Sequence, residues 1–423
     1  MFSHLARLLL FICFLSVGLV RTKAQENSGM AAQETMSLNK QAELSVEDED
    51  SIEKDISDIW MRIRFSKKEI KNKDSINQLK RLHFAIVPGV GYSMQTGFAG
   101  FIAANGVFKT KKNAETNQSS VFTLVSVTQY KQLILPLILS IWTPKNKYHI
   151  VSDNRFMKFP SLTYGIGQNS LEAPASAIEF LYLKMRQTVM KKVAPNFYMG
   201  LGYYFDRFWN IREDLSPRHR GAIVPLGSNI DTEALASGMV AKVTFDSRPR
   251  LINPPKGLYA SLLIRDNTPF FGGDSRWRTG LLEVRKFFTL PGKSKNILAF
   301  WSHNWFTLNG NPHYLMLPST GWDDYFNTGR GHIQGRFRGS DMFYLEGEFR
   351  YKILRSGLLG GVLFGNVQYF TGSPLRSDQI VVPAGGIGLR IKVNKKSATN
   401  LAIDYGIGIN GSRGFFVNLG ESF

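Results

Sequence analysis

The chain has 423 residues, with 52 Lys and Arg against 33 Asp and Glu, a formal charge of +19 and a single cysteine. One cysteine excludes a disulfide framework and a thiolate metal site. The seven histidines, at positions 4, 83, 149, 219, 303, 313 and 332, lack metal-ligand spacing, and no G-x-S-x-G elbow occurs, so the sequence points away from an enzyme and implies no cofactor.

Residues 1–24 have the parts of a secretory signal: His4 and Arg7, an apolar run from Leu8 to Val20, and Thr22-Lys23-Ala24 before a mature start at Gln25. Cys13 leaves with that segment, preceded by Phe11-Ile12 rather than a lipoprotein's small residue. The apolar run is shorter than the roughly 20 residues a helix needs to cross a bilayer, and no later segment is long and apolar enough, so any membrane span must be built from strands. Loss of Arg7, Arg21 and Lys23 lowers the charge from +19 by three, to +16. For an exported chain this favours anionic lipid head groups over nucleic acid.

Residues 25–81 are polar, with an acidic block from Glu47 through Asp58 and a basic one holding Arg62, Arg64, Lys67, Lys68, Lys71, Lys73, Lys80 and Arg81. Ile52, Ile56, Ile59 and Ile63 at helical spacing predict a short amphipathic helix near 49–72. Two readings stay open: a periplasmic collar or plug, and a solvated linker.

From Leu82 onward, runs of alternating polarity separated by turn signals predict sixteen strands, near 83–92, 97–109, 119–129, 132–142, 147–157, 176–189, 195–206, 234–246, 256–266, 276–288, 296–306, 341–352, 358–370, 379–392, 399–409 and 413–423. The fold class is all-β: a 16-stranded transmembrane antiparallel β-barrel behind a short N-terminal periplasmic segment. An even count puts both ends in the periplasm. The long connections 158–175, 207–233 and 307–340 then fall outside, while Pro144-Lys145-Asn146, Leu290 to Lys293 and Leu354 to Gly357 are short periplasmic turns. The connection 110–118 is the exception.

Faces separate within several strands. In 341–352, Phe343, Leu345, Gly347, Phe349 and Tyr351 oppose Glu346, Glu348 and Arg350. In 399–409, Leu401, Ile403, Tyr405 and Ile407 oppose Asn400, Ala402 and Asp404. In 234–246, Leu235, Met239, Ala241, Val243 and Phe245 oppose Lys242, Thr244 and Asp246. Lipid outside and water inside require this arrangement. In the last strand, Phe415, Val417, Leu419 and Phe423 are expected on the lipid face.

Several stretches resemble the BamA/TamA superfamily of outer-membrane assembly and translocation barrels: Phe245-Asp246-Ser247-Arg248-Pro249 with Asn253 to Tyr259, Pro88 to Tyr92 with Thr96-Gly97, Ile403 to Gly406, and Gly414 to Phe423. The tip Arg330-Gly331, within Gly329 to Arg338, is similar to the family's Arg-Gly-aromatic motif on the sixth outer loop, with His332 where an aromatic is usual. The resemblance implies that this loop folds back into the lumen and that Arg330 bonds acidic groups on the wall. Arg330, Arg336 and Arg338 are the candidate cations; Glu346, Glu348, Asp246 and Asp404 are the candidate acids, with Glu346 or Glu348 preferred. Asn366 stands where related barrels often carry an aspartate. No POTRA domain fits residues 25–81.

The resemblance implies an integral bacterial outer-membrane protein that assists insertion or transport of protein or lipid through a lateral seam. Its partners would be outer-membrane lipid and lipopolysaccharide, client outer-membrane proteins or a periplasmic subunit. The alternative is a passive barrel or narrow channel plugged by its sixth outer loop. The seam would lie between 83–92, where Pro88, Gly89 and Gly91 weaken a ladder, and the closing strand marked by Phe415, Gly420 and Phe423. Gly420 is expected to kink that strand, leaving few hydrogen bonds across the seam.

Overall fold

Side chains of a strand alternate between its two faces, so one period-two pattern settles both the lipid surface and the lumen. The computed structural model describes residues 53–56, 58, 82–110, 116–167, 175–213, 231–292, 295–372, 379–395 and 398–423. The expected signal segment and most of 25–81, including the bulk of the 49–72 helix, lie outside them. No helix among the described residues is long and apolar enough to cross a membrane.

The unit Lys54–Phe423 contains β1 (Leu82–Ser93), β2 (Gly97–Phe108), β3 (Ser119–Thr128), β4 (Leu133–Trp142), β5 (Tyr148–Lys158), β6 (Ser161–Thr163), β7 (Ser176–Ala194), β8 (Phe197–Glu213) and β9 (Glu233–Asp246). It continues with β10 (Gly257–Asn267), β11 (Trp277–Thr289), β12 (Ile297–Asn309), β13 (Met342–Lys352), β14 (Leu359–Thr371), β15 (Gln379–Asn394), β16 (Thr399–Gly408) and β17 (Arg413–Leu419). The three-residue β6 prolongs β5 against the same neighbour, β7. Pro160, which has no N–H to donate, sits in the gap. The wall is therefore a closed antiparallel barrel of sixteen strands, each paired with the next and β1 meeting β17.

Every expected strand is present, with three notable shifts of boundary. β7 and β8 run on to Ala194 and Glu213, joined by a tight turn in which Asn196 adopts φ 60°. The third shift is at β17, which stops at Leu419 instead of continuing to Phe423.

The alternation translates into burial. Leu345 is 51% exposed while its neighbours Glu346 and Glu348 are 0% and 1% exposed. Ile407, Phe415 and Leu419 are likewise exposed, and Ala402 and Asp404 are buried. Two apolar clusters fill opposite parts of the lumen. One holds Phe287, Trp301, Phe337, Tyr344, Phe370 and Phe423; the other holds Met157, Phe159, Phe180, Tyr182 and Phe208 with Trp322 and Phe326 packed on it.

Closure is uneven. β1 and β2 are aligned over the full length of β1, from Leu82↔Phe108 to Ser93↔Gly97, and β16 pairs with β17 from Leu401↔Leu419 to Ile407↔Arg413. Across the seam a single pair, Ser93↔Phe416, forms among the described residues. Pro88 lies in β1, and the Phe101 ring of β2 fills the space above Gly89 where a side chain would stand. After Leu419, Gly420 takes φ +115°, a left-handed backbone that glycine adopts without penalty, and its N–H donates to Asn400 O at 2.7 Å. The tail then turns into the lumen, so Phe423 is 6% exposed. This corrects the expectation that Phe423 faces lipid: the left-handed turn at Gly420 ends the strand and takes the last ring inward.

At the barrel end that carries the β13–β14 and β15–β16 turns, Asp55 and Asp58 cap each other's N–H groups at 3.0 and 2.9 Å, a reciprocal arrangement typical of a helix start. Asp55 Oδ2 accepts from Lys395 N at 2.9 Å, Asp58 meets Lys395 Nζ at 3.0 Å, and Lys54 N donates to Ser356 O at 2.9 Å. These short contacts hold the segment against the β13–β14 and β15–β16 turns.

Candidate functional site

The connection between β12 and β13 folds back into the barrel, where Arg330 and His332 are 1% and 2% exposed. Its descent depends on glycine. Gly329 and Gly331 adopt φ +76° and +109°. A Cβ on Gly331 would stand 2.8 Å from Ala384 Cβ and 3.1 Å from the Ile407 backbone, and one on Gly406 would stand 2.7 Å from Gly331 N. The tip thus presses backbone to backbone against β16, and only Arg330 reaches further.

Its guanidinium donates through Nη1 to Asp404 Oδ2 at 2.5 Å and through Nη2 to Glu346 Oε1 at 2.5 Å. Nη2 also donates to Glu348 Oε1. The Phe364 ring lies 3.9 Å from the guanidinium carbon, and Asn366 Nδ2 donates to Arg330 O at 2.9 Å. Asn366, uncharged where an acid is usual, fixes the tip's backbone rather than its charge. Burial works against ionisation of Arg330, but Glu346, Glu348 and Asp404 outweigh it and hold the group well above its ordinary range.

These acids also serve other arginines. Arg350 donates to Glu348 Oε2 at 2.6 Å and to Phe423 O at 3.2 Å. Arg390 bonds Asp404 at 2.5 Å and Glu421 at 2.7 Å. Phe423 stacks on Trp301 with ring centroids 5.3 Å apart. Asn327 of the loop donates to Ser422 O at 2.9 Å and accepts from Asn418 Nδ2 at 3.0 Å. Loop tip, wall and C-terminal tail are one connected assembly.

His332 is neutral here: burial pushes its imidazole down to about 4, only partly offset by the contact with Pro383 O. It sits edge-on to Phe337 with centroids 5.1 Å apart, the packing of an aromatic residue in the position where the family resemblance expects one.

Three expected wall contacts do not form. Asp246 turns to Arg248, accepting from its backbone N at 3.1 Å and from Nε and Nη2 at 2.9 and 2.8 Å, because it ends β9 beside its own periplasmic turn. Arg338 donates to the carbonyls of Tyr314 and Leu317 at 2.8 and 3.1 Å and bridges Ser319. Arg336 lies over the rings of Tyr164 and Phe337. Both arginines stand on the returning limb of the loop, away from the acidic wall.

Sequence reasoning missed Arg390, Arg350 and Glu421 as members of the network, although Arg350 had been placed on the inward face. It also missed Asp323 and Asp324, the one acidic pair in a loop otherwise rich in arginine. Asp323 caps the backbone N–H groups of Tyr325, Asn327 and Thr328 at 2.9, 2.9 and 2.7 Å. Asp324 reaches Lys184 Nζ at 2.7 Å and Arg186 Nη1 at 2.9 Å on the opposite wall.

A sixteen-strand closed barrel with an apolar outer band and a loop-filled lumen is the fold of integral outer-membrane proteins. Among solved structures, the chain is similar to BamA from Haemophilus ducreyi lacking POTRA domains 1–3, with 15% identity, a TM-score of 0.51, and coverage of 81% of this chain and 69% of that one. It is similar also to CdiB from Acinetobacter baumannii, at 13% identity and TM-score 0.52 over 81% and 60% of the two chains. The corresponding values for CdiB from Escherichia coli are 9%, 0.53, 82% and 69%. No family model and no curated protein matches the sequence. The chain thus has the outer-membrane barrel fold that BamA and CdiB share.

Proposed function

We propose that this barrel assists the insertion or transport of protein or lipid at the bacterial outer membrane by opening at the seam between β1 and β17. The observation that carries this reading is the seam itself, a single residue pair, Ser93↔Phe416, in an otherwise continuous wall. Hydrogen bonds hold a barrel closed in lipid, where an unmatched backbone group has no water to turn to, so a seam this short is where separation is easiest. A cavity of about 240 Å³ lies against it, lined by Tyr92, Met94, Phe101, Ile134, Phe416 and Val417 with the loop behind. An apolar segment entering there would meet apolar walls. In this reading residues 25–81 form a periplasmic segment without a POTRA domain, the surrounding partners are outer-membrane lipid and lipopolysaccharide, and clients are outer-membrane proteins.

The test is a lock. Cross-strand partners are close enough to accept a disulfide, so Ser93→Cys with Phe416→Cys should oxidise across the seam. Oxidised protein should fail to restore outer-membrane protein levels in cells depleted of the parent, and reduction should restore them. Full complementation by the locked barrel contradicts the proposal.

A second reading, a narrow channel plugged by its loop, is favoured by the burial of Arg330. Planar-bilayer conductance that is unchanged by Arg330→Ala would remove it.

A further inference from the structure

The loop has two ionic anchors on the wall, Arg330 and Asp324. Asp324 sits on the wall opposite Arg330, where Arg155, Lys184 and Arg186 converge from β5 and β7. Lys184 Nζ and Arg186 Nη1 both donate to Asp324 Oδ1, at 2.7 and 2.9 Å, and Arg155 Nη2 donates to Asp324 O at 2.7 Å. The Arg155 and Lys184 side chains are 7% and 5% exposed, so strands and packing fix the cations. The Asp324 side chain is 48% exposed and lines a small lumen cavity with Arg186, Lys242 and Arg265.

The surrounding charge is lopsided. Around Asp324 the wall presents Arg155, Lys184, Arg186, Lys242, Arg265 and Arg285 against Asp153, Asp206 and Glu283. Asp153 is shared by Arg155 and Lys184 at 2.7 and 3.0 Å, Asp206 is bonded to Arg265, and Glu283 meets Arg285 at 2.5 Å. Arg186 Nε and Arg265 Nε are buried with no hydrogen-bond partner, and Lys242 lines the same small cavity as Arg186, Arg265 and Asp324. The turn carrying Asp324 is itself strained, for Phe326 holds φ +58°, a conformation bulky residues rarely adopt.

We propose that Lys184 and Arg186, with Arg155 beside them, form an anion site on the lumen wall, occupied here by the carboxylate of Asp324, whose external ligand is a phosphate group. Displacing the Asp324 carboxylate releases the two N–H donors that meet on its Oδ1, and the same Arg186 guanidinium has a buried Nε without a hydrogen-bond partner. Phosphate offers three terminal oxygens and more charge than a carboxylate, and guanidinium groups pair with it bidentately. Occupation by phosphate removes one of the loop's two ionic anchors and leaves the Arg330 anchor in place.

Calorimetric titration of the full chain in dodecyl maltoside micelles, with inorganic pyrophosphate and in parallel with short-chain phosphatidic acid, tests this. Asp324→Asn removes the competing negative charge and should bind the probe at least tenfold more tightly than the parent. Adding Arg186→Gln, or Lys184→Gln if that double variant fails a heat-modifiable mobility check for folding, should reverse the gain. Binding of both probes identifies phosphate itself as the ligand, and binding of phosphatidic acid alone identifies a lipid-borne phosphate; both support the site. Absence of binding, equal affinity of Asp324→Asn and parent, or binding indifferent to removal of both cations would each overturn it.

Discussion

The two anchors of the inward loop use the same kind of ion pair in opposite surroundings. Arg330 places a cation among three wall acids, and its side chain is 1% exposed. Asp324 places an anion among wall cations, and its side chain is 48% exposed. Removing one partner of a buried pair strands the others without water, but the cations at Asp324 keep other acids, Arg155 and Lys184 on Asp153 and Arg186 near Asp206. The first anchor is therefore a lock and the second an exchangeable latch.

The largest effect that would break this contrast is expected from Arg330→Ala. It leaves Glu346, Glu348 and Asp404 buried together, and loop docking should weaken by roughly 3–5 kcal/mol, read as faster proteolysis of the loop and a large rise in single-channel conductance. A next step comes from pH. Docked His332 is pushed down to about 4, against an ordinary value of 6.5. Above about pH 6.5 both docked and released loops are neutral there; as pH falls towards 4 only the released loop gains the proton, so docking weakens across that window, by a few kcal/mol at most. His332→Phe should flatten the profile.

Gly331→Ala should follow, with a left-handed penalty of about 1–2 kcal/mol added to its clash with Ala384 and Ile407, again seen as loop proteolysis. The smallest effect on docking belongs to Asp324→Asn, because Lys184 and Arg186 keep Asp153 and Asp206 as partners. If Asp324→Asn released the loop as fully as Arg330→Ala, the distinction between lock and latch would fail.

Much of this was legible in the sequence. Strand alternation carries its own geometry, so Leu345 and Glu346 could be assigned to opposite faces before any coordinates. The Arg330-Gly331 pair stood out through its resemblance to the family's loop motif, and the inward acids on the neighbouring strands supported an inward loop. Which acid met which arginine was not legible: Asp246, Arg336 and Arg338 have suitable charge, but their positions along the strand axis and loop limbs decide the pairing. Phe423 misled for a related reason. Its parity is that of Phe415, yet parity holds only while the strand is continuous, and one residue at φ +115° ended it. Asp324 carried a signal, an acid in a basic loop, whose partners lie far away in sequence.

The central claim is that the wall is weakest at β1 and β17, and amide hydrogen exchange of the full chain in micelles tests it most directly. The seam-facing amides of β1 between Ile86 and Tyr92 should exchange much faster than the amides of β2 and β16. Equal protection on both edges of the seam and within the continuous ladders would contradict it.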